Sequence, residues 1–239
     1  MKKMIACNLI VVMLLGIVIP INATTAETVP SEKLLIFDPT FVKDAEIVRE
    51  ENSIQLTRTQ KLNTRSMNEQ YRKDVVQLFT SSEEDANLWM AWLNSDQGSK
   101  SSPRENDSAV TIAAQFTLYY EKETTILSEE YVTLTDIEGY IDILSNQVQI
   151  TGHSVTVEVD DKLSGEPLFP YTWSRSISVE DYDGWSIQYT GTEDRLKDVD
   201  GLGFSATYEI TIFRRQLGLE DEGRTWTLEI ANRLSLPVD

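Results

Sequence analysis

The chain has 239 residues, with 39 acidic side chains against 21 basic ones and a formal net charge of −18. A charge of that sign opposes nucleic acid and anionic lipid as partners. Cys7 is the only cysteine, so no disulfide can staple the chain and an apolar core has to hold it.

Residues 1–26 read as an export signal. Lys2 and Lys3 precede an almost unbroken apolar run from Ile5 to Ile19, and Pro20 leads to Ala23-Thr24-Thr25-Ala26. Small side chains at 24 and 26 suit a signal peptidase. The run is shorter than the roughly 20 residues that span a bilayer, so cleavage and secretion are expected, with no stable transmembrane anchor left. Cys7 stands too early in the run to end a lipoprotein signal. The double-Lys, Ile/Val-rich style is that of a bacterial leader. Cleavage leaves 213 residues with 19 basic and 39 acidic side chains, a net charge of −20.

Residues 27–94 are expected to form a smaller, helix-containing N-terminal region, mixed α/β or helical. The pattern of residues 33–62 fits strand and helix alike. "EQYRKDVVQLF", residues 69–79, reads as a helical turn or two. In "SSEEDANLWMAWLNSD", Ser81 or Ser82 is an N-cap with Glu84 or Asp85 three residues on. Leu88, Trp89, Trp92 and Leu93 then make an apolar stripe at helical spacing, which predicts a buried face. Residues 95–108, "SDQGSKSSPRENDS", are polar and rich in Ser, Gly and Pro, and are expected to be a linker or long loop.

Residues 109–239 are predicted to be an antiparallel β-sandwich, a mainly β domain of about six to eight strands. Val110, Ile112, Ala114, Phe116, Leu118 and Tyr120 alternate with more polar neighbours, as do Phe204, Ala206, Tyr208, Ile210 and Ile212, and Trp226, Leu228 and Ile230. Period two means one buried face. Over 131–160 the apolar parity flips twice, from Val132 and Leu134 to Ile141 and Ile143, and from Val148 and Ile150 to Val155, Val157 and Val159. One register pairs Ile143 with Val148, Leu134 with Val157, and Gly139 with Gly152. It predicts a long hairpin bent at its paired glycines. In that register His153, the only histidine of the chain, faces Glu138 as a cross-strand charge pair.

Two Asp-x-Asp-Gly tetrads follow, Asp181–Gly184 and Asp198–Gly201. An EF-hand needs an oxygen ligand at position one and a bidentate Glu at position twelve. Aligning the glycines to position six puts Val179 and Thr190, or Leu196 and Thr207, at those places. Neither tetrad is an EF-hand. The first reads as a three-residue hairpin loop, Tyr182-Asp183-Gly184, with Val179 opposite Ile187, Ile177 opposite Tyr189, and Gly184 in a left-handed conformation. For the second, Glu193, Asp194, Asp198 and Asp200 crowd together and form the candidate metal site, for calcium; no other cofactor is expected.

No catalytic residues stand out. A serine triad would need His153 and has no nucleophile elbow, and His/Cys zinc sites are excluded by count. Neither Gly-x-x-x-x-Gly-Lys nor Gly-x-Gly-x-x-Gly occurs. Thirty-nine acids make carboxylate pairs uninformative. The expectation is therefore a secreted or surface-held, non-enzymatic interaction protein whose partner is an extracellular protein or a glycan. The alternatives are a carbohydrate-binding or carbohydrate-processing module and a calcium-dependent adhesion module. Trp173 and Trp226 share parity with core neighbours and are expected to be buried. Trp185, beside the first tetrad, is the candidate exposed ring for a ligand.

Overall fold

The computed structural model describes residues 34–62, 68–95, 112–124, 130–143, 148–160, 171–189, 196–197, 203–216 and 219–235. The expected export signal, residues 1–26, and nearly all of the 95–108 segment lie outside them. A 3-10 turn at Leu35–Phe37 leads into α1 (Pro39–Asp44), which Asp38 caps by accepting from the Thr40 N–H. β1 (Glu46–Arg49), β2 (Ser53–Leu62) and β3 (Glu69–Phe79) form an antiparallel meander. α2 (Glu83–Leu93) starts at the expected cap: the Ser82 hydroxyl accepts from the Asp85 N–H and donates to the Asp85 carboxylate.

The strands that follow are β4 (Ile112–Thr124), β5 (Glu130–Ile143), β6 (Val148–Asp160), β7 (Tyr171–Ile177), β8 (Trp185–Gln188), β9 (Leu196–Lys197), β10 (Gly203–Gln216) and β11 (Leu219–Ser235). They make two antiparallel sheets. The wider one runs β1-β2-β3-β4-β5-β8, with β9 also on β5; the narrower one runs β11-β10-β6-β7. The mainly β sandwich and its small helical N-terminal part are as the patterning predicts. Among the described residues no helix is long and apolar enough to cross a membrane.

Two cores result. Between the sheets lie Phe116, Leu118, Ile137, Val155, Val157, Tyr208 and Ile210; on the other face of the wider sheet, Ile54, Leu56, Val76 and Leu78 are covered by Leu34, Ile36, Phe41, Trp89 and Trp92. Trp89 and Trp92 meet edge to face at 5.5 Å and both touch Phe37.

This second core explains why residues 69–79 are a strand and not the expected helical turns. Val75 faces the sandwich and Val76 faces the helices. A strand covered on both sides loses its alternation and reads as a continuous apolar run. β3 also pairs with β4 along its whole length, Phe79 opposite Ile112 through Glu69 opposite Lys122. The strands before and after residues 95–108 thus share one sheet.

The bent hairpin of 131–160 does not form. β5 pairs with β4 and β8, and β6 pairs with β10 and β7, so the two strands belong to different sheets. The parity flips have another cause. Tyr119 pairs with Asp136 but Tyr120 with Leu134, which leaves Thr135 as an extra residue; likewise Thr211 pairs with Gly152 but Ile212 with Ile150, which leaves Thr151 extra. An inserted residue restores the inward face after shifting the count by one. Val132, Leu134, Ile137 and Ile141 therefore all enter one core, as do Val148, Ile150, Val155 and Val157.

Candidate functional site

The Asp181–Gly184 tetrad is not a hairpin loop. β7 pairs with β6 in the narrower sheet, and β8 pairs with β5 in the wider one. The chain crosses between sheets through a 3-10 turn, Val179–Asp181, capped by the Ser178 hydroxyl. The Tyr182 carbonyl accepts from the Ile141 N–H at 2.8 Å, tying the crossover to β5. Gly184 does take a positive φ, +148°, as its residue type suggested, but it serves a sheet-to-sheet crossing.

Trp185 is buried, contrary to its expected exposure beside the tetrad. It is 6% exposed, so its ring is no open ligand platform. As the first residue of β8 it pairs with Gly139, and its indole lies against that glycine. A Cβ on Gly139 would sit 2.2 Å from Trp185 Cζ2. Gly139 is thus a close-approach glycine, and the bend expected at the Gly139–Gly152 pair does not exist. Gly152 lies opposite Thr211, next to the β6 bulge.

The expected Glu138–His153 pair is likewise absent, because β5 and β6 are in different sheets. Glu138 accepts from the Tyr119 hydroxyl at 2.7 Å on the helix-covered face of the wider sheet. His153 is 5% exposed inside the sandwich. Its Nδ1 lies 2.9 Å from the Tyr208 hydroxyl and its Nε2 lies 2.6 Å from the Ser178 carbonyl, while Trp185 Nε1 donates to the same Tyr208 hydroxyl at 3.0 Å. Burial holds the His153 pKa below its ordinary value, against the Ser178 carbonyl and Asp181, which pull it up. Burial also pushes the Tyr208 hydroxyl well above the usual tyrosine range.

A further charged cluster lies on the helix-covered face. Asp74 is fully buried, accepting from Arg72 Nε and from the Thr117 hydroxyl at 2.8 Å each, with Arg58 Nη2 at 3.5 Å. Arg58 also stacks on the Phe41 ring of α1 at 4.7 Å. Arg58 Nε and Asp74 Oδ2 have no hydrogen-bond partner. Desolvating these charges offsets much of their attraction, so the cluster adds little net stability, whereas removing one partner would leave a buried charge uncompensated. Period-two reading passed over it because Arg72-x-Asp74 looks like an ordinary solvent face.

Glu193, Asp194, Asp198 and Asp200, the candidate calcium ligands, lie outside the described residues. Among the described residues no group of three or more His, Cys, Asp or Glu is placed to hold a metal ion.

The surface feature the sequence did not mark is the open side of β11. It is an edge strand of the narrower sheet, and it packs over β3 and β4. Asn232 donates through Nδ2 to the Lys73 carbonyl at 3.1 Å and to the Phe116 carbonyl at 3.2 Å. Sheet order then carries β1 and β2 beyond the strands that β11 covers, as a shelf. Thr59, Gln60 and Lys61 of β2 are exposed.

Backbone groups of successive residues in an antiparallel ladder address alternate sides. The Thr211 carbonyl accepts from Thr151 of β6, and the Arg233 carbonyl accepts from Lys73 Nζ of β3. Both put the odd residues of β11 on the open edge, including Thr225, Thr227 and Glu229. Trp226 was expected in the core from its parity, yet it is 41% exposed, and Val48 on β1 is 46% exposed. Trp226 shares the inward parity of Ile230 and pairs with Ile212, which is in the core, but it stands on the edge strand and stays half in the open. Arg224 to Thr227 are all exposed. Comparison with known families, with curated proteins and with solved structures finds no match.

Proposed function

We propose that this is a secreted interaction protein, exported by its cleaved 1–26 leader, that takes up an extended polypeptide segment of a partner along the open edge of β11. The observation that supports this reading is that edge, along which no described strand pairs with the outward backbone groups of Thr225, Thr227 and Glu229, and the half-exposed Trp226 ring beside them. Strand addition supplies main-chain hydrogen bonds along such an edge, and side-chain contacts on alternate residues supply the selectivity. The net charge of −20 that remains after cleavage of 1–26 steers basic segments toward the protein.

The test uses Thr227→Pro. Proline removes an N–H from the open edge and none from the β10 ladder, a position edge strands tolerate. The full chain is panned against a random peptide phage library and titrated with soluble oligosaccharides. Peptides enriched by the wild type and lost in Thr227→Pro support strand addition. No enrichment, or equal enrichment by both proteins, sinks it. The exposed Trp226 ring also favours a second reading, sugar stacking, in which oligosaccharide binding is lost in Trp226→Ala and kept in Thr227→Pro.

A further inference from the structure

His153, Tyr208 and Trp185 come from β6, β10 and β8, three strands of two sheets, and they meet around one phenolic oxygen. Their hydrogens can be assigned by elimination. The Ser178 carbonyl only accepts, so His153 Nε2 carries a hydrogen and donates to it. The indole only donates, so it uses one lone pair of the Tyr208 oxygen. The Tyr208 proton then goes to His153 Nδ1, which must be bare. The neutral Nε2–H tautomer satisfies every polar group of the set.

A proton added at Nδ1 undoes this arrangement. Nδ1–H and the phenolic O–H would point at each other. The phenol would have to turn its hydrogen toward the rings of Phe116 and Trp185, which lie 5.5 and 5.1 Å away by centroid. A buried donor without an acceptor costs its full desolvation. The new charge would also be buried. From the crossover, Asp181 faces it favourably and Glu180 is exposed on the same turn; β10 offers Tyr208; Ile177 of β7 and Trp185 of β8 offer no charge.

The set holds both ends of the 178–184 crossover, at Ser178 and at Trp185. Beyond it, β8 pairs with β5 through Trp185–Gln188, with one backbone hydrogen bond on either side, from the Ile141 N–H to the Tyr182 carbonyl and from the Tyr189 N–H to the Thr135 carbonyl. We propose that His153, Tyr208 and Trp185 form a proton-operated latch: neutral His153 holds the crossover and edge strand β8 closed, and a proton on Nδ1 releases them while the rest of the sandwich stays folded. The sign follows from burial. The neutral form is favoured in the fold, so the latch is whole above the ordinary histidine value of about 6.5. It weakens as the pH falls from there toward the lower folded value, about tenfold per pH unit.

The test is amide hydrogen exchange of the full chain from about pH 7.5 to about pH 5, corrected for the intrinsic rate. Protection of 178–189 is expected to fall progressively as the pH is lowered in the wild type while β4 and β10 hold theirs. In His153→Phe, protection of the same segment should be independent of pH. Unchanged wild-type protection overturns the latch, as does equal acid loss in the variant. Should the variant not fold, NMR titration of the single histidine in the wild type decides. Its protonation must track the loss of the β8 amides, and a histidine that titrates without that loss refutes the latch.

Discussion

Gly139 and Gly184 are both glycines of necessity, for different reasons. At Gly139 the indole of Trp185 occupies the place of a Cβ; at Gly184 the nearest atom is 4.0 Å away and the backbone alone is special, with φ +148°. Gly139→Ala should cost about 1–3 kcal/mol by overpacking. Its cost should shrink sharply in a Trp185→Ala background, since the two share one space. Gly184→Ala should also cost about 1–3 kcal/mol, but unchanged by Trp185→Ala. Urea unfolding of the three single variants and the two double mutants separates the mechanisms. Additive costs for Gly139 and Trp185 would contradict the packing described. The glycine requirement at Gly184 was legible from Asp-Gly turn chemistry. That at Gly139 was not, because the crowding ring comes from a strand 46 positions away in sequence.

Among elements, α2 and the inward strand faces were the most legible. The Ser82 cap and the stripe of Trp89, Trp92 and Leu93 are local signals, carried by residues within a few positions of each other, although Leu88, expected in the same buried stripe, is 49% exposed. β5 and β6 were misread because a bend that changes face and a bulge that keeps it leave the same parity flip in the chain. Only the partner strand distinguishes them, and it is remote. The bulge makes a sharp prediction. Deleting Thr135 removes the extra residue and brings the two halves of β5 into one parity. Either Val132 and Leu134 or Ile137 and Ile141 must then leave the core. Exposing two such side chains costs about 3–6 kcal/mol at roughly 1.5–3 each, so the deletion variant should be largely unfolded by circular dichroism. Thr135→Ser, which keeps the residue and the hydroxyl that bonds the Tyr119 carbonyl, should melt within a few degrees of wild type.

At the scale of the whole molecule, the two sheets are joined by more than apolar contact. Asn232, 1% exposed, reaches from β11 across the core to carbonyls of β3 and β4 in the other sheet. Asn232→Ala should destabilise by about 1–3 kcal/mol and leave the urea m-value unchanged, since the same surface is exposed on unfolding. A fall in m would mean instead that the two sheets then come apart in separate steps.

The amino-acid sequence by itself determined the β class, the inward faces of β4 and β10, the helix cap, the turn glycine and the absence of disulfide support. All of these follow from period, local hydrogen bonding or count, and each is written in neighbouring residues. The tertiary structure alone decided which strand lies beside which. It buried Trp185, parted Glu138 from His153, gathered Arg58, Arg72 and Asp74, and left Trp226 in the open. A period of two reports which side of a strand is wet. It carries no address for the strand across the ladder, and that address is set by the packing of both cores at once.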